Sequence, residues 1–374
     1  AIASALNALW PALKPDAPVV LAFNADDGET ALDGVMLAAA GSGAAVTHAL
    51  CDPFDGYRIH ARPSAHRPGD RDREALADDI GHIAREAALK TLRARGEPTA
   101  QPILHTAILE ALAKEGTLSV AARLPEDGPQ PLTLLRDSIE TALKADEGPF
   151  VEVDSRMWWL SDASRAAEPL ADRVEIAALE LIRSQDEWDQ SELLHEVYRR
   201  VPGDLTPERP LVAACIASYS EESAGRLRLR VEDQVEARTA EVQAIRQALA
   251  QLGAQMGYAV ESRSGQIAWK EQGVTTYAFV ISPTAEMGAL WRFGQMLGGT
   301  PVLVIPGGRA TLFQHKLARN ARLRQAVEDG AWQFLKFGAV RELVSHADRD
   351  RRAFALALGL NPPIEQPQIQ IPLW

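Results

Sequence analysis

The last third of the chain constrains the fold most, because its periodicity changes in a fixed order. Residues 234–256 are rich in Ala, Gln, Glu and Arg and have helical spacing. Short β-branched and aromatic runs follow at 258–262, 266–270 and 275–282, the last two joined by a Gln272-Gly273 turn. A helix over 284–297, begun at Pro283-Thr284, leads to the strongly apolar strand 301–305. Helix 310–319 and strand 332–337 complete the pattern. The order is α-β-β-β-α-β, then a further helix and strand.

Two earlier segments repeat another order. Residues 74–95, 103–115 and 132–145 read as helices, followed by a hairpin of 150–153 and 157–160 about Asp154-Ser155. Residues 170–183, 191–200 and 206–219 give three more helices, then the strand 226–231. Thr206-Pro207 is a good helix start, because the hydroxyl accepts from orphan N–H groups and Pro suits the first helical position. Three helices and a hairpin, twice over, predict tandem winged helices, with Trp158, Trp159 and Trp188 anchoring their cores. At the N-terminus, strand 18–23, helix 29–40 and strand 45–50 form an α/β segment too small to stand alone. Residues 58–73, rich in Arg, His, Pro and Asp, read as a loop. The fold class expected is α/β plus α+β and multidomain. Its parts are a partial α/β segment over 1–62, a linker over 63–73, winged-helix-like domains over 74–165 and 166–232, and an αβββαβ domain over 233–374 that ends in an apolar tail.

At 374 residues, 46% hydrophobic and 24% charged, the chain has an ordinary globular composition. With no long apolar run and no basic leader before an apolar segment, a cytoplasmic protein with no membrane partner is expected. The first residue is Ala rather than Met, which suggests a processed or truncated chain. Cys51 and Cys215 lack zinc or disulfide spacing, and Cys215 reads as a buried small hydrophobe. His195, His315 and His346 have no acid or nucleophile at a readable spacing.

The net charge of −12 opposes a surface coated for nucleic acid, yet the charge is unevenly distributed. Between 309 and 341, seven cations face only Glu328 and Asp329. Arg309, Lys316, Arg319, Arg322, Arg324 and Lys336 are therefore candidate DNA-phosphate contacts. Arg226, Arg228 and Arg230 alternate along one strand, which puts three cations on one face of the second hairpin. Gly307-Gly308, between a strand and a helix, reads first as a plain turn and otherwise as a pair of N–H groups offered to an anion.

The αβββαβ order resembles the PD-(D/E)xK nuclease core, in which acids on the second and third core strands hold divalent ions. Hard Mg²⁺ needs such carboxylates. Here Gln266 opens the second strand, and Phe279-Val280-Ile281-Ser282 offers no acid on the third. Glu261, Glu271 and Glu286 lie nearby. Only Glu286, as a ligand migrated to the following helix, keeps a nuclease reading open, with Lys270 as a possible lysine mimic. No catalytic and no metal-binding residue is otherwise assigned.

Several stretches resemble the C-terminal region of bacterial DNA methyltransferases that act on an exocyclic base nitrogen. They are 13–24 (LKPDAPVVLAFN), 170–175 (LADRVE), 201–207 (VPGDLTP), Ser218-Tyr219, 304–309 (VIPGGR), Lys316-Leu317 and 334–337 (FLKF). Cys51-Asp52-Pro53-Phe54 is similar to the family's target-amine loop but has one Pro in place of two, and no Gly-rich cofactor loop precedes it. The resemblance implies a non-catalytic, DNA-engaging subunit or segment of a restriction- or defence-type system. Double-stranded DNA and a catalytic half would be its partners, and S-adenosylmethionine would be bound only by that half. A protein–protein scaffold in a defence complex is the alternative, which the acidic balance favours.

Overall fold

The computed structural model describes residues 2–14, 17–24, 28–52, 56–64, 72–124, 130–154, 156–263, 266–288, 298–345 and 350–359. The fold is mixed α/β, with several small sheets. Its contacts divide into two compact units, Ala1–Val174 with His195–Val212, and Glu175–Leu194 with Ala213–Trp374. They are fewer than the five segments expected from sequence, and the division runs through the expected segment 166–232, of which 166–174 and 195–212 fall in the first unit.

In the first unit, α1 (Ile2–Leu9) precedes β1 (Val19–Phe23), α2 (Gly28–Gly41), β2 (Ala44–Asp52) and β3 (Gly56–Pro63). The sheet order is β1-β3-β2, with β3 antiparallel to both neighbours. This corrects the loop expected from residue 58. Tyr57, Ile59 and Ala61 alternate with Arg58, His60 and Arg62, and the first three are buried. Their two-residue period makes the segment the central strand of the sheet.

The chain then forms α3 (Arg73–Arg95), β4 (Thr99–Ala100), α4 (Gln101–Lys114), α5 (Thr117–Ala121), α6 (Pro131–Leu143), β5 (Phe150–Asp154) and β6 (Met157–Leu160). Asp72 caps α3 by accepting from Ala75 N at 2.9 Å, and Gly96 ends it in the left-handed conformation at φ 67°. Only glycine fits at Gly96, because a Cβ would lie 2.2 Å from the Ala167 carbonyl oxygen. The three-stranded sheet has the order β4-β6-β5, so the short strand before α4 pairs with the second strand of the hairpin. One continuous core joins this module to the N-terminal sheet, from Leu6 through Ile59, Leu104 and Leu109 to Trp159.

Next come α7 (Leu170–Ser184), α8 (Gln190–Arg200), α9 (Arg209–Tyr219), β7 (Ser220–Ser223) and β8 (Arg226–Leu229). In the second unit Trp188 bridges to Leu227 of β8, as β4 does to β6, and its indole donates to Leu181 O at 2.9 Å. Beyond them lie α10 (Val235–Gln255), β9 (Ala259–Arg263), β10 (Gln266–Glu271), β11 (Val274–Ile281), β12 (Thr300–Ile305), α11 (Ala310–Arg319), α12 (Ala321–Asp329), β13 (Gln333–Lys336), α13 (Phe337–Ser345) and α14 (Arg351–Ala357). The helix expected over 284–297 and the apolar tail fall largely or wholly outside the described residues. The five-stranded sheet has the order β13-β12-β11-β10-β9, antiparallel from β9 to β11 and parallel from β11 to β13. Trp269 of β10 is fully buried against Phe279 and Phe354, and its indole donates to Leu249 O of α10 at 3.1 Å.

Candidate nucleic-acid interface

The second hairpin carries the most exposed of the expected cations. Arg226 and Arg228 sit on β8 and are exposed, opposite Ser223 and Glu221 of β7. Arg226 makes no hydrogen bond or ion pair among the described residues, whereas Arg228 pairs with Glu187. Arg230 follows the strand and turns back, donating from Nη2 to Ala217 O at 3.1 Å. The hairpin thus presents one arginine that is hydrogen-bonded to no acid among the described residues, though its charge acts on Asp189, and one that is paired with Glu187.

Arg319 ends α11, and Arg322 and Arg324 lie on α12, all three half-buried. Among the described residues Arg322 reaches only Gln325 Oε1, at 3.4 Å. Arg324 donates from Nη1 to Leu317 O at 3.0 Å and Ala318 O at 2.7 Å, which satisfies carbonyls at the end of α11. Lys336 lies half-buried on β13.

Arg309 and Lys316 are elsewhere, and this corrects the basic patch. Both are inside the second unit, with Lys316 wholly inaccessible and Arg309 1% exposed. Lys316 Nζ pairs with Glu175 and donates to Ala285 O at 3.1 Å. Glu175 also accepts from Ala285 N at 2.7 Å and from the Tyr219 hydroxyl. Burial and the neighbouring Glu175 charge push the Tyr219 hydroxyl well above its usual range, so it stays a donor. Arg309 lies 3.6 Å from the Tyr219 ring centroid, donates to Ser218 Oγ at 2.8 Å, and pairs with Asp233. Asp233 accepts from Arg238 Nη2 at 2.5 Å as well. Buried charges persist only when paired, so these two cations are committed to acids of their own chain and cannot meet a phosphate from outside. Gly307-Gly308 form the 3-10 turn that delivers Arg309 inward.

In the five-stranded sheet, Gln266 faces Val280 in register, where the resemblance would require convergent acids. Glu261 pairs with Lys270, Glu271 with Arg351 at 2.9 Å, and Glu286 accepts from Thr284 Oγ1 at 2.7 Å. No group of three or more His, Cys, Asp or Glu side chains that could hold a metal ion occurs among the described residues. In the Cys51–Phe54 stretch, Cys51 and Asp52 end β2, and Pro53 and Phe54 lie outside the described residues.

The acids that hold Arg309 and Lys316 are what sequence reading missed. Asp233 lies 76 residues before Arg309, and the Glu175–Lys316 hydrogen bond spans 141 residues. The one available signal was an acid inside an apolar helical run, as in Leu170-Ala-Asp-Arg-Val-Glu-Ile176. Compared with known proteins, the chain matches no family model and no curated protein.

Proposed function

We propose that the chain is a non-catalytic, DNA-engaging part of a bacterial DNA methyltransferase system of restriction or defence type. In this reading residues 74–165 and 166–232 are tandem winged helices, and the five-stranded sheet is a PD-(D/E)xK-like domain that has lost its metal ligands. The observation that carries the reading is the repeated connectivity. In both modules a strand residue before the second helix pairs with the last strand of the hairpin, β4 on β6 and Trp188 on Leu227. Winged helices dock the third helix in a groove and the hairpin on the backbone.

Charge favours DNA contact by the second hairpin and by the helices 310–319 and 321–329 over contact by the first module. The exposed positions of α6, the helix before the hairpin of the first module, include Asp137 and Glu140, which disfavour a duplex backbone laid along that helix. On α9 the exposed positions are Arg209, at its first residue, and the alanines Ala213 and Ala217, so one side chain alone has the reach and donors to read a base edge. Binding is therefore through phosphates, by Arg226 and Arg228 on the hairpin with Arg319 and Arg322, and it is weakly sequence-dependent. S-adenosylmethionine and the target-base chemistry belong to a separate catalytic half.

Fluorescence anisotropy with a labelled duplex at two salt concentrations tests this, for the chain alone and with a catalytic partner. The expected result is binding that weakens steeply with salt. Reversal of Arg226 and Arg322 to Glu should lower affinity by about tenfold or more and flatten the salt slope by roughly one to two. Absence of duplex binding under both conditions would sink the proposal and favour the scaffold reading, which the acidic balance and the α6 surface support.

A further inference from the structure

The first unit holds a cleft of about 340 Å³ that none of the preceding roles uses. Volumes of this size belong to small-molecule sites. Its polar wall centres on Asp33, an acid on α2 that is wholly buried. Asp33 Oδ1 lies 2.6 Å from His105 Nε2, and Oδ2 accepts from Arg136 Nε at 2.7 Å. Arg136 also donates from Nη2 to Thr30 Oγ1. Ile139, Leu143 and Trp158 form an apolar wall beside these groups.

This arrangement fixes one guanidinium. Its inner edge is held by Asp33 and Thr30, while Nη1 makes no hydrogen bond among the described residues. A guanidinium so tied presents its outer edge as a preformed fork, the geometry that carboxylates and phosphates accept in bidentate fashion. Acids of the cleft are already matched: Glu29 with Arg156 and Gln101, and Glu140 with Lys144 at 2.6 Å. Arg136 and Lys144 retain unused N–H donors, so the unmet demand of the cleft is for acceptors.

We infer that the cleft binds a small organic oxyanion, a carboxylate or a phosphomonoester. Its charged group sits on the outer edge of Arg136 and its apolar or planar body lies against Ile139, Leu143 and Trp158. Nothing in this depends on DNA binding.

Isothermal titration of the full chain with phenyl phosphate, benzoate, inorganic phosphate and acetate, each against chloride at matched ionic strength, tests the inference. Saturable binding of at least one oxyanion is expected, tighter for the aryl probe than for its bare counterpart. Arg136→Lys keeps a cation on Asp33 but removes the fork, and should weaken binding by about tenfold or more with the circular dichroism unchanged. Should that variant fail to fold, Lys144→Gln on the rim should still weaken binding severalfold. Arg226→Glu with Arg322→Glu should leave oxyanion binding intact while weakening DNA binding, which separates the two proposals. No saturable heat with any probe, or equal affinity in the wild type and a folded Arg136→Lys, would overturn the inference.

Discussion

At the scale of single residues, the structure spends its charged groups on one another. Glu110 on α4 illustrates the consequence. Burial alone would raise its carboxyl, but hydrogen bonds from His48 at 2.8 Å, from Lys114 and from Ala49 N at 2.6 Å outweigh burial and hold it at about 2. Its folded value is depressed, so its stabilisation is complete above the ordinary carboxylate range near 4.5 and lost as pH falls toward 2. Urea denaturation between pH 6 and pH 3 should show a stability loss that Glu110→Gln reduces by about 1–3 kcal/mol. Equal pH dependence in the two proteins would contradict this. Charges of this kind explain the limits of the sequence reading. Arg309 and Lys316 look like a basic patch in a linear string, and only the third dimension brings Asp233 and Glu175 to them. Asp33 carried a readable signal, a lone acid within the apolar run 31–40, whereas its partners His105 and Arg136 lie 72 and 103 residues away.

At the scale of elements, periodicity served well where segments were long. The helices near 74–95, 170–183 and 234–256 and the strands of the five-stranded sheet stand within a few residues of expectation. Three strands escaped, and one of them, β7, is the polar run Ser-Glu-Glu-Ser with no apolar alternation to read. β4 is two residues long, too short for any period, and β3 hides its alternation behind Arg58, His60 and Arg62. The contact of α10 with β10 adds a feature no pattern encodes. Gly253 lies in the last turn of α10, and within a helix alanine is ordinarily favoured over glycine by about 1 kcal/mol. A Cβ there would approach the buried Trp269 indole to 2.4 Å. Gly253→Ala should therefore destabilise the protein, by about 1–3 kcal/mol, because the indole is fixed by Leu249 O and cannot withdraw. Thermal unfolding of the variant checks the sign, and a raised midpoint would show that the helix shifts instead.

At the scale of the whole molecule, the first two folded segments expected from sequence share one core. The expected boundary at 62/63 falls at the end of β3, and the core runs across it from Leu6 to Leu160. Residues 72–165 expressed without 1–64 should therefore be insoluble or molten by near-UV circular dichroism. Co-expression of the two pieces should restore a cooperative transition. A cooperatively folded 72–165 fragment would make the N-terminal sheet an appendage rather than part of the core.

The sheet order β1-β3-β2 has a consequence for synthesis. The strand that pairs with both others is the last of the three to be made. Until residue 63 has left the ribosome, the apolar segments 19–23 and 44–52 have no ladder to join. Over that interval they are exposed edges of high β-propensity, the state in which nascent chains associate wrongly. The arginines and histidine of β3 place charge in the strand that ends this exposure, and the speed at which translation passes from 52 to 63 sets how long it lasts.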